Sequence, residues 1–169
     1  MSCCRAAAFA LLMLLAPLGS ASAQTAEQWV AMGKQVHGGF GTFIVLGIRI
    51  GQDALKVLDA QPRQLDVTLV SGPKAPCPCL VDGVLIATSA SPGQGTLRVA
   101  AEKAADDQLG VLTIRHRTTG AAVRYVVPAA IGPKLAAWNR ELDDLGRFAK
   151  VMQEPAGDLF ARELLPAAR

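Results

Sequence analysis

Cys77-Pro78-Cys79 places two thiols one residue apart. Such a pair can chelate a soft metal as thiolates, close a small disulfide ring, or supply a reactive thiolate. Two small buried apolar side chains are the plain alternative. Zinc and similar ions are held by thiolate, imidazole and carboxylate groups that converge from separate parts of a fold. His37 opens the turn His37-Gly38-Gly39, whose glycines leave the ring free of a packed core, and Asp82 follows Cys79 in a second turn-rich segment. His37, Cys77, Cys79 and Asp82 are therefore the candidate donors for zinc or another transition metal. Three ligands with an open fourth position would make a functional site rather than a closed structural one. The spacing is a weaker signal than paired Cys-x-x-Cys knuckles.

Redox poise depends on compartment. Residues 1–23 join one arginine, an apolar run of about a dozen residues and the small-residue end Ser20-Ala21-Ser22-Ala23, the pattern of a cleavable secretory signal. The run is short of the ~20 residues a membrane span needs. Cleavage after Ala23 is expected, giving a periplasmic or secreted protein and removing Cys3 and Cys4. No cysteine stands at the cleavage point to carry a lipid anchor. Exported thiols tend to oxidise. A disulfide closed over one residue forms a strained ring of raised reduction potential.

Residues 24–169 have the length of a single domain with a core that needs no staples. Loss of Arg5 lowers the formal net charge from +3 to +2, too little to argue for nucleic acid or an anionic membrane surface. No second apolar run of membrane length follows, so a soluble mature chain is expected. Internal repeats and low-complexity tracts are absent from the sequence.

The elements that must position these residues follow from periodicity. Residues 25–36 read as a helix capped by Thr25, with Trp29, Met32 and Val36 at helical spacing. Phe43-Ile44-Val45-Leu46 fit strand or buried helix by pattern alone, but the second half of residues 42–58 favours helix; the segment reads as a buried helix on which Gly47 and Gly51, one turn apart, give a smooth face for close packing. Residues 65–70 alternate as a strand, 79–87 fit helix or strand, and 96–100 form a strand leaving the loop Ser91-Pro92-Gly93-Gln94-Gly95. Residues 110–117 and 121–127 predict a hairpin about Thr118-Thr119-Gly120. Residues 133–152 predict one long amphipathic helix through Leu135, Trp138, Leu142, Leu145, Phe148 and Val151, and a cysteine-free helix is expected at the end of the chain. The sum is an α+β fold, an antiparallel or mixed β-sheet covered by helices.

Two segments, in order and in register, carry a family resemblance over roughly residues 35–127. His37-Gly38-Gly39-Phe40-Gly41-Thr42, running into the helix with Gly47-Ile48-Arg49, resembles the opening His-Gly-His-x-Cys-Pro-Gly turn and Gly-x-Arg helix of the FmdE family of formylmethanofuran dehydrogenase. Cys79-Leu80-Val81-Asp82, followed by Thr88-Ser89-Ala90-Ser91-Pro92-Gly93-Gln94-Gly95-Thr96-Leu97, resembles that family's Cys-x-x-Asp helix and Thr-Gly-Cys-Thr-x-Gly-Lys-Gly-Asn-Leu loop. Neither motif is intact. The family's second histidine falls on Gly39, its motif cysteine on Gly41, its proline on Thr42, its loop cysteine on Ala90 and its loop lysine on Gln94. The cysteine-rich C-terminal zinc element of most members is also missing. His37, Cys79 and Asp82 survive, and Cys77, which has no counterpart, would restore a lost thiol ligand.

The resemblance implies an FmdE-like fold and a metal site at these residues. It also implies a loop in which Gly93 and Gly95 could offer backbone N–H groups to an anionic ligand. In the namesake complex the pterin and iron–sulfur centres lie on other polypeptides, so an exported relative need not share its activity. Each residue has a structural reading as well. His37 can cap its helix, Asp82 can sit at a helix start, and Gly93 and Gly95 can simply turn the chain. Arg49 can be a solvated or ion-paired helix residue, and His116, between Arg115 and Arg117, is expected to be exposed. Three functions follow. The first is an exported metal- or small-ligand-binding protein, a binding or accessory part of a metal-handling or redox system rather than an enzyme. The others are a thiol-disulfide redox protein using Cys77 and Cys79, and a scaffold without a metal site. The glycine face and apolar content would suit a homodimer.

Overall fold

A computed structural model describes residues 24–167, so the signal sequence read over residues 1–23 lies outside the described residues. Helices α1 (Ala26–His37) and α2 (Thr42–Val57) open the fold. Thr25 caps α1 through a capping box with Gln28, as its spacing predicts. Then come strand β1 (Leu65–Ser71), helix α3 (Leu80–Thr88), strand β2 (Leu97–Val99) and the hairpin β3 (Gln108–His116) and β4 (Ala122–Pro128). Helices α4 (Gly132–Glu141) and α5 (Asp144–Gln153) and strand β5 (Ala161–Leu165) complete it.

The strands form one mixed sheet in the order β2-β1-β3-β4-β5. Only the β1–β2 pair is parallel; β1–β3, β3–β4 and β4–β5 are antiparallel. Alternate residues of β1 (Leu65, Val67, Leu69) are buried while those between are half-buried, so the helices cover one face. The α+β expectation is met, with the mixed form of sheet.

α2 is the centre of the helical layer. Ile44, Leu46, Ile48 and Ile50 are fully buried, and α3, α4, α5 and β4 all pack on it. α3 crosses α2 backbone to backbone. A Cβ on Gly47 would stand 2.1 Å from the Leu80 carbonyl oxygen, and one on Gly83 would stand 2.0 Å from that of Ile44. Glycine at both positions is what permits the contact. The smooth face of Gly47 and Gly51 is thus occupied by α3 of the same chain, and a homodimer would need a different surface.

Three sequence expectations require correction. The helix predicted over 133–152 is two helices: Leu142 is extended (φ −115°, ψ 149°), and Asp143 restarts the chain by accepting the Gly146 N–H at 2.7 Å. The last element of the described residues is a strand rather than a helix, because β5 hydrogen-bonds along β4 and satisfies its otherwise open edge. His116 is 6% exposed instead of solvated. Its Nδ1 accepts the N–H groups of Thr118 and Thr119 at 3.1 and 3.2 Å and so closes the β3–β4 turn.

A polar strap ties the sheet edge to α2. The Tyr125 hydroxyl donates to Asp53 Oδ2 at 2.6 Å, and Arg162 of β5 donates to both Asp53 oxygens at 2.9 and 3.1 Å. Burial first, then the hydrogen bond and negative charge of Asp53, raise the Tyr125 phenol far above its ordinary range, with Arg162 opposing. Arg49 donates to the Val151 carbonyl of α5, and burial lowers its guanidinium pKa against the charges of Asp53 and Glu154. It is a structural residue of the helical layer.

Candidate functional site

The candidate site lies where the end of α1 meets the start of α3. Gly38, in the left-handed region at φ 83°, ends α1 by returning its N–H to Lys34 O. That sharp stop leaves His37 at the helix terminus, with its side chain 35% exposed. Cys79 is the N-cap residue of α3 and Asp82 lies in the first turn. Backbone hydrogen bonds from Val81 N to Pro78 O (3.0 Å) and Asp82 N to Cys79 O (3.2 Å) wind the Cys-Pro-Cys segment into that turn.

His37 Nδ1 and Asp82 Oδ2 are 2.7 Å apart. An ionised carboxylate only accepts, so the ring donates from Nδ1. In the neutral imidazole, Nε2 then carries the free lone pair. Cys77 and Cys79 are joined as a disulfide, with their Cα atoms 5.2 Å apart. Cys77 is half-buried, whereas Cys79 is only 7% exposed. Cys77 is the more exposed residue of the pair.

The chemistry of the donor set decides what this arrangement can hold. Imidazole, two thiolates and a carboxylate suit zinc. Sulfurs bonded to each other are not thiolates, however. Among the described residues, no group of three or more His, Cys, Asp and Glu stands together as a metal site. As a disulfide, Cys77 and Cys79 offer no thiolate.

The other two predicted residues sit elsewhere. Gly93 and Gly95 belong to the turn Pro92–Gln94 and its cap, between α3 and β2. Ser91 accepts the N–H groups of Gln94 and Thr96, and Pro92 O accepts that of Gly95, so these three donors are bonded within the turn. Gly95 is the position that needs glycine, at φ 68°.

Sequence reasoning missed the residues that brace His37 from the far end of the chain. Asn139 of α4 accepts the Thr42 N–H at 2.9 Å and so caps α2 in place of Gly41, which has no side chain to do it. Thr42 Oγ1 donates to Leu135 O at 3.1 Å. Arg147 of α5 donates to Phe40 O (3.2 Å), Asn139 O (2.6 Å) and Asp144 Oδ1 (3.0 Å). The Gly38–Gly41 link that orients His37 is thus held by α4 and α5. The only local signal was an apolar-helix arginine and asparagine without an obvious partner.

Comparison with known proteins bears on the same residues. A search of curated proteins finds no match. A family model described as "FmdE, Molybdenum formylmethanofuran dehydrogenase operon" matches residues 36–161. That span begins beside His37, includes Cys77, Cys79, Asp82 and the Gly93–Gly95 turn, and ends at the start of β5. It covers most of the sequence. The chain belongs to the FmdE family.

Proposed function

We propose that this is an exported metal-binding protein of the FmdE type, accessory to a metal-handling or redox system, which takes zinc or a similar soft divalent ion when Cys77 and Cys79 are reduced. The observation that carries the reading is the His37–Asp82 contact. A carboxylate on one ring nitrogen fixes the tautomer and raises the basicity of the other, the usual support of a metal-bound histidine. His37 would ligate through Nε2, Cys79 and Cys77 would supply thiolates, and Asp82 would orient His37. The bound ion would supply Lewis acidity or simply be cargo. Gly93 and Gly95 would shape a neighbouring turn rather than contact the ion.

Elemental analysis beside a free-thiol count tests the proposal. Protein purified under reducing, chelator-free conditions should carry one metal ion per chain, lost in His37→Ala and in Cys79→Ala. Retention of metal in both variants would overturn it.

The disulfide itself favours a second reading, thiol–disulfide exchange. A thiolate of a dithiol substrate would attack the sulfur of Cys77, the more exposed residue, and release Cys79 as a thiolate. The substrate's second thiol would then displace Cys77 from the mixed disulfide. Two electrons pass to the protein pair and the substrate leaves as a disulfide. Oxidation of one equivalent of a dithiol peptide by metal-free protein, with Cys77 and Cys79 left reduced, would select this reading.

A further inference from the structure

We propose that the protein carries a second site, a pocket for a small apolar molecule ending in a carboxylate. A cavity of about 450 Å³ opens beside the start of α2, between α4, the start of β3 and the loop before Cys77. That volume lies in the range of ~300–1,000 Å³ typical of small-ligand sites. Phe43, Pro76, Leu109 and Ala136 contribute apolar walls. Lys74 and Asn139 contribute the only polar side chains of the lining.

Both polar groups are donors facing no acceptor. Lys74 is exposed and enters no ion pair among the described residues. The orientation of Asn139 is fixed, since its Oδ1 already accepts the Thr42 N–H at 2.9 Å. Its Nδ2 therefore keeps its N–H groups for a ligand. No carboxylate lines the cavity. α2, whose Thr42 N–H is capped by Asn139, and α4 also begin here, and their dipoles add potential of the same sign. An ammonium group would meet only Lys74, and a polyhydroxylated sugar would leave most of its hydroxyls against carbon. A carboxylate accepts from both donors while its hydrocarbon tail fills the apolar remainder. This site is independent of the metal reading, since it uses none of His37, Cys77, Cys79 or Asp82.

Titration of the mature chain with hexanoate, hexanol and hexylammonium, followed by calorimetry and ligand-observed NMR, tests the proposal. Hexanoate should bind saturably at one site, hexanol about tenfold or more weakly, and hexylammonium not at all. Lys74→Gln, a change at an exposed position, should weaken hexanoate about tenfold and leave hexanol unaltered. Ala136→Trp should abolish both while the far-UV spectrum is kept. Equal binding of the three headgroups, or an unaltered Lys74→Gln, would overturn the carboxylate assignment. Absence of binding by all three probes, or saturation persisting in folded Ala136→Trp, would overturn the site.

Discussion

His37 Nδ1 meets Asp82 Oδ2 at 2.7 Å across 45 residues of sequence, joining the end of α1 to the first turn of α3. Both side chains are partly open to solvent, at 35% and 28%. The contact fixes which imidazole nitrogen is left to accept. Asp82→Asn should therefore lower the metal affinity of the reduced protein about 10- to 100-fold, the range for loss of such a support. With cobalt(II) as probe, the variant should keep its thiolate charge-transfer band and its four-coordinate d–d spectrum. A change of coordination number in Asp82→Asn would instead make Asp82 a direct ligand.

The disulfide gives a prediction in peptide chemistry. Trypsin releases both cysteines of the site in the peptide 75–98. From protein prepared without reductant, that peptide should be lighter by two hydrogens than after reduction and should resist alkylation. Full alkylation of Cys77 and Cys79 without reductant would contradict the pairing.

The α2–α3 crossing gives a stability prediction. Gly83→Ala would set a methyl 2.0 Å from Ile44 O and 2.7 Å from Ile48 N, against backbone that has no rotamer to move. We expect a loss of about 3 kcal/mol or more in urea unfolding. Gly93→Ala, whose Cβ would meet nothing within 4 Å, should change stability by less than about 0.5 kcal/mol.

Tyr125 is the only tyrosine in the chain, so its titration can be read without overlap. Its folded pKa is raised, mainly by burial and then by Asp53. The native state thus holds the phenolic proton more tightly than the unfolded state, whose pKa is ~10. The stability tied to this proton is complete below ~pH 10 and falls as pH rises above that value toward the folded pKa. The 295 nm absorbance of native protein should stay flat through pH 10–11 and rise only with alkaline unfolding. A reversible step near pH 10 in folded protein would show the Tyr125–Asp53 bond to be absent.

How much of this was legible depended on whether the signal was local. α1, β1 and the β3–β4 hairpin were readable because cap, period and turn all lie within a few residues of one another; α2 was readable from its period alone, its cap Asn139 standing far along the sequence. The break in 133–152 was visible only as Asp143-Asp144 inside an amphipathic stripe that continues in phase, so the apolar spacing masked a cap. The sequence Ala161–Leu165 has good helix formers and becomes β5 because β4 offers an open edge, a nonlocal cause. His116 looked exposed between two arginines, yet a strand alternates its faces and His116 takes the inner one opposite Leu65. At the site, the sequence could place His37 and Asp82 on one list but not in one contact. The bracing by Asn139 and Arg147 leaves no trace at the motif itself.

On the proposed function, this corner of the fold binds a soft metal in its reduced state alone. The most direct measurement is zinc affinity by competition with a chromophoric chelator, on one preparation divided into reduced and oxidised halves. One tight site per chain is expected in the reduced half, absent from the oxidised half and from reduced His37→Ala. Equal zinc affinity in both halves, or a reduced His37→Ala that binds like the parent, would contradict it.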